Sequence, residues 1–195
     1  MSQIGTQDTP AKDTKQRLTA PFDSLDADII VRSSDKVDFP VRKCFLAAAS
    51  AVFEAMLSLP QPENTSAPNG LPVVELVEDS RTLDIILRLS YPIDTVLPAD
   101  FIDHARSVLE TTHKYAFDGV LERIKRRLHT SRILEREPLR MYTIACSLGM
   151  EDIARSAARQ TLRCDPFDFP HVPELRHITA APYSRLLQYH RACSQ

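Results

Sequence analysis

The chain has 195 residues, 43% hydrophobic and 26% charged, with a net charge of −2. This is the composition of an ordinary globular protein of one domain plus a smaller extension. It excludes a general attraction to nucleic acid or acidic membrane; no apolar run approaches the ~18 residues of a membrane span, and the scattered glycines cannot cradle a phosphate.

Residues 1–22 are polar and without period, and read as a disordered tail with order beginning near Phe22. The opening MSQIGTQDTPAKDTK has no apolar core of a signal peptide, so the expected compartment is cytosol or nucleus. There Cys44, Cys146, Cys164 and Cys193, which form no C-x-x-C, read as free thiols, and the sequon at Asn64 is idle. Asp28–Arg32 is a β-branched apolar run, Ser33-Ser34-Asp35 a turn, and Val37, Phe39 and Val41 then alternate with polar residues. That pattern predicts a hairpin, with Pro40 confining the second strand to a sheet edge.

From Arg42 the period becomes helical. Phe45, Leu46 and Ala49 form one stripe, and Ser50 is placed to cap a second short helix bearing Val52, Phe53, Met56 and Leu57. Residues 60–72 hold four prolines and predict a loop before the strand Val73–Val77. A helix over 81–90 is apolar on both sides and should be buried, with Asp84 and Arg88 paired and Tyr91-Pro92 as its end. A longer helix over 98–116 carries Phe101, Ile102, Ala105, Val108, Leu109, Thr112, Tyr115 and Ala116 on one stripe, and Asp118-Gly119 is expected to break it. The next helix turns Val120, Leu121, Ile124 and Leu128 inward. Pro138 opens a helix with Leu139, Tyr142 and Cys146 on its stripe. Gly149 stops it, and a further helix buries Ile153, Ala154, Ala157, Ala158 and Leu162, giving an αα-hairpin. The proline-punctuated remainder ends in an amphipathic stretch near Tyr183–Tyr189. The fold class is α+β: a small mixed sheet packed by helices, then a helical extension.

Three stretches resemble the BTB/POZ family: DADIIVRSSDKVDFPVRKCFLAAASAVFEAML (26–57), LDIILRLSYP (83–92) and HKYAFDGVLERIKRRL (113–128). The family's pattern falls on Asp28, Phe39, Arg42-Lys43, Leu46-Ala47-Ala48, Ser50 and Phe53, with Arg42 standing where the family has histidine. The resemblance implies a BTB/POZ domain over 23–130. The segment 137–162, with MLSLPQP at 56–62, is similar to fungal BTB proteins with a BACK-like helical extension, here 131–195. It further implies a non-enzymatic adaptor that forms homo- or hetero-oligomers and docks other proteins.

Two finer roles follow from the resemblance: substrate adaptor of a cullin-type ubiquitin ligase, or a transcriptional regulator that recruits corepressors. Cullin-binding relatives carry a hydrophobic-x-Glu motif that falls here on Leu57-Ser58-Leu59, where leucine replaces the acid. Weak cullin binding or none is therefore expected. The acidic–basic pocket of BTB repressors maps to Asp28 and Lys43, whose alternative reading is a strand-edge carboxylate and a solvated ammonium. Partner-facing candidates are thus Asp28, Lys43, Phe53, Leu57 and Leu59. In the best-known dimers an N-terminal strand and helix swap; here the stretch before Asp28, with Phe22 and Leu25 as its nearest large apolar residues, shows no such amphipathic element, and an unswapped dimer through helix faces stays open.

Other chemistry is weakly signalled. Cys164, His171, His177, His190 and Cys193 crowd the last stretch but match no zinc-finger spacing. Arg123, Lys125, Arg126 and Arg127 read as the solvent face of a helix. No hydrolase or nucleotide motif appears, and Asp103/His104 and Glu110/His113 read as surface charges. No cofactor, metal, nucleic acid, membrane or small-molecule substrate is expected.

Overall fold

The computed structural model describes residues 19–23, 26–59, 70–130 and 132–193. The predicted hairpin forms from β1 (Ile29–Arg32) and β2 (Asp38–Val41), antiparallel, with Ile29 opposite Val41 and Val31 opposite Phe39. β3 (Val73–Glu75) returns parallel on the other side of β1, giving the order β2-β1-β3. Pro40 therefore lies on an edge strand, where its missing N–H breaks no second ladder. Arg32 ties the sheet across its width: its guanidinium bonds Asp38 on β2 at 2.9 Å and reaches Glu75 on β3 at 3.5 Å.

α1 (Lys43–Ala49) and α2 (Ala51–Ser58) pack against each other. α3 (Ser80–Ser90) is the central helix: Leu83, Ile85, Ile86, Leu87 and Leu89 are all buried, as its two-sided apolar pattern requires. Asp79 caps it by accepting the Thr82 N–H at 2.9 Å, and the Asp84–Arg88 pair forms at 2.9 Å. α4 (Phe101–Lys114) and α5 (Asp118–Thr130) follow, then a short α6 (Ile133–Arg136), α7 (Pro138–Ser147), α8 (Glu151–Thr161) and α9 (Ala180–Cys193), with two 3-10 turns at Pro166–Asp168 and Pro173–His177. One hydrophobic core runs from Ile29 and Phe53 to Ile144, Ile153 and Leu186, so the extension shares the interior of the domain before it.

Four expectations change. Phe22 belongs to the core, not the tail: its ring meets Phe39 edge-on at 5.3 Å, with Arg88 above it at 4.9 Å. Gly119 breaks nothing, because it lies inside α5; the chain turns at Ala116, whose φ is +50°. Leu162 falls just beyond α8 and is exposed. Cys146 is only half-buried, while Met141, Thr143, Ile144 and Ala145 are buried too, so α7 is enclosed almost all round instead of carrying one stripe. Most of the 60–72 loop, including Asn64, and the tail before Thr19 lie outside the described residues.

Candidate interaction surface

α1 begins without a side-chain cap of its own, since Arg42 stands at its N-cap. Asp28 supplies the acceptor from just before β1: its carboxylate takes the Lys43 backbone N–H at 2.6 Å. A carboxylate at a helix N-terminus meets both unpaired amides and the positive end of the helix dipole. The partner of Asp28 is therefore the main chain of Lys43, and neither the acidic–basic pocket nor a free strand-edge carboxylate describes the pair. Arg42 is fixed as well. Its N–H donates to the Tyr91 hydroxyl at 3.1 Å, its guanidinium pairs with Asp26, and its charge sits 6.0 Å from the Phe45 ring centre. Burial pushes the Tyr91 phenol up, so the acceptor stays neutral.

Ser50 joins the two helices. Its backbone N–H closes α1 on Leu46, its Oγ accepts the Phe53 N–H at 3.1 Å, and its hydroxyl donates to the carbonyl of Tyr115. Phe53 is 1% exposed and lies 5.5 Å from both Tyr115 and Phe117, so it sits in the interior, away from any partner. The left-handed turn at Ala116 makes this possible, because it lets both flanking aromatics face inward. Glu78 holds the same corner, accepting from Lys114 Nζ at 2.7 Å and from the Tyr115 hydroxyl at 3.0 Å. That bond raises the Lys114 ammonium above its ordinary value, and burial raises the Tyr115 phenol.

With Leu46 and Phe53 turned in, the opposite side of the pair faces outward. Cys44, Ala48, Ala51, Val52, Ala55 and Leu59 are exposed there, beside Glu54 and Ser58. Leu57 is half-buried against the core, whereas Leu59 is 66% exposed, so the Leu-x-Leu pair is split between interior and surface.

The other candidates have structural partners. Arg123 donates to the carbonyls of Leu89 and Tyr91, both at 2.7 Å, and so closes the C-terminal end of α3. Lys125 pairs with Glu122 and Arg127 with Asp94, which leaves Arg126 as the exposed member of the basic run. His190 is buried, its Nε2 2.9 Å from Thr161 Oγ1 and its ring edge-on to Phe169. Cys164, His171, His177 and Cys193 are exposed, and among the described residues no three His, Cys, Asp or Glu side chains gather around a metal position. Asp103 bonds Arg140 at 3.0 Å, and His104 lies 3.8 Å from Asp100. No described helix is long and apolar enough to cross a membrane.

Arg123, expected on a solvent face, and Arg140, which no pattern singles out, both prove to be structural. Arg140 binds Glu174 at 2.7 Å, Glu137 at 2.9 Å and Asp103 at 3.0 Å, and so ties α7 to α4 and to the second 3-10 turn. Burial opposes its charge, but these three carboxylates outweigh it and hold the guanidinium protonated. Nothing in the local pattern distinguishes either arginine from a solvated one.

A family model for the BTB/POZ domain matches residues 20–132. The chain belongs to the BTB/POZ family. Among solved structures, the BTB domain of zebrafish PATZ1 is similar at 19% identity, with a TM-score of 0.38, over 54% of this chain and 77% of that one. No curated protein matches. BTB domains are protein–protein interaction modules and generally not enzymes, and the three-stranded mixed sheet with its surrounding helices is this protein's form of that fold.

Proposed function

We propose that this BTB protein is a non-enzymatic adaptor that self-associates through the outward face of α1 and α2 and docks other proteins. The observation that carries the reading is the composition of that face: alanines, Val52 and Leu59 exposed beside few polar groups. Small side chains let two helix pairs approach closely, and apolar area removed from water supplies about 25 cal/mol per Å2. The capping charges nearby are occupied, so they do not oppose the approach. The contact needs no swapped N-terminal element. The helices after Thr130, a BACK-like extension of the fungal type, add a second docking region, and the protein works in the cytosol or nucleus.

Light scattering over a range of concentrations tests this reading. A dimer mass that falls to the monomer on dilution supports it; a monomer at high micromolar concentration overturns it. The ligase-adaptor role ranks below self-association, because Leu59 stands where an acid is called for. Robust pull-down with a cullin scaffold, lost in Leu57→Arg, would reverse that order.

A further inference from the structure

A second surface lies far along the chain from α1 and α2. α7, α8 and α9 enclose a groove of about 630 Å3, floored by Tyr142, Cys146, Ala158 and Leu186. Burial raises both the Tyr142 phenol and the Cys146 thiol, so the floor carries no charge. The rim is cationic. Arg155 pairs with Glu151 at 2.9 Å, but Arg159 and Arg185 have no carboxylate within ion-pair distance among the described residues. Their charge reaches inward all the same: Arg185 acts on Tyr142 and Cys146, and Arg159 on Tyr189. An apolar floor between two unpaired guanidinium groups suits an apolar side chain flanked by carboxylates.

The chain presents such a group. Asp165-Pro166-Phe167-Asp168 forms a 3-10 turn just past α8, set by the Asp165 carboxylate accepting the Phe167 N–H at 2.9 Å. Phe167 is 96% exposed, whereas Phe169 two residues later turns inward against His190. A fully presented phenylalanine leaves roughly 150–250 Å2 of apolar surface in water. Here it stands between two acids.

We propose that the Phe167 tip of one copy seats in the α7–α8–α9 groove of a second copy, with Asp165 and Asp168 facing Arg159 and Arg185. Capping uses only part of the Asp165 carboxylate, which keeps lone pairs for a guanidinium. Tip and groove are carried by the same chain, so two copies can exchange tips about a two-fold axis. This contact is separate from the α1–α2 face, and the two together would link copies into a chain.

The test places the photo-crosslinker p-benzoylphenylalanine at position 167 of the full chain and mixes isotopically heavy and light protein before irradiation. The expected products are heavy–light crosslinks from position 167 to Tyr142, Ala158 or Leu186. Arg159→Glu with Arg185→Glu should abolish them, and in the chain without the crosslinker Phe167→Ala should weaken self-association in the Ala55→Glu background roughly tenfold or more by light scattering. All of these are surface changes, and unchanged thermal melts confirm that the variants fold. In the Ala55→Glu background, which removes the α1–α2 contact, the crosslinks should persist. The proposal is overturned by crosslinks confined to one copy, by crosslinks to another face, by none at high micromolar concentration, or by their loss in Ala55→Glu. Crosslinks indifferent to the arginine variants would overturn it too.

Discussion

The α1–α2 face and the α7–α9 groove stand on one hydrophobic core yet differ in the kind of contact they offer. The first is a helix-pair surface of alanines, Val52 and Leu59 with Glu54 and Ser58 beside them, the capping charges of Asp28 and Arg42 being used internally. The second is concave, with an uncharged floor and two arginines left without carboxylates among the described residues. A contact of the first kind depends on area removed from water and is nearly indifferent to salt. One of the second kind depends on complementary charge and is screened, with a Debye length of about 8 Å at physiological ionic strength. One fold can thus present two protein contacts that respond to different conditions.

Because both surfaces rest on the same core, the largest effect should come from the residue that anchors the first. Phe53→Ala should cost about 3–5 kcal/mol in chemical denaturation and unfold the extension in the same transition. A separate, unshifted transition for the extension would show two independent units. Arg140→Met tests the junction from the other side. It strands Glu174, whose side chain is 14% exposed, and should cost about 3 kcal/mol. A loss under about 1 kcal/mol would make the three carboxylates ordinary surface pairs.

Ala116→Gly should stabilise the protein by about 1 kcal/mol, since a Cβ at φ +50° is strained and glycine is not. A loss of stability would mean that the Ala116 methyl packs more usefully than its strain costs. The smallest effect concerns acid. Burial holds the His190 imidazole below its ordinary value, with Asp165 opposing. The unfolded chain therefore takes up this proton first, and the stability His190 contributes above the ordinary imidazole value is lost as pH falls through the lowered one. The stability gap between the protein and His190→Asn should shrink from neutral to mildly acid pH; a widening gap would contradict the sign.

Much of the fold was legible because local rules coincide with the global packing. The hairpin, the Ser50 cap, the two-sided burial of α3, Pro138 at a helix start and Gly149 (φ +68°) at a helix stop all follow from period and capping chemistry. What escaped depends on partners distant in sequence. Ala116 adopts a glycine-like φ because Tyr115 and Phe117 are both drawn inward against Phe53. Phe22 looked like a stray apolar residue in a polar tail until Phe39 and Tyr91 closed around it. Arg123 sits in a basic run and reads as solvated, yet it finishes α3. Of the five site candidates, Asp28 acts through the backbone of Lys43, Lys43 and Leu57 are half-buried, Phe53 serves the core, and Leu59 lies on the surface. The groove draws Tyr142, Ala158 and Leu186 from three separate helices, which no local pattern brings together.

Hydrogen exchange recorded on dilute and on concentrated protein, beside the Ala55→Glu variant, tests the α1–α2 assignment most directly. Amides across Ala48–Leu59 should exchange more slowly as concentration rises in the unsubstituted protein, and Ala55→Glu should remove this dependence without lowering the thermal midpoint of the dilute protein. Exchange in that segment unaffected by concentration, or slowing confined to other faces of the molecule, would contradict it.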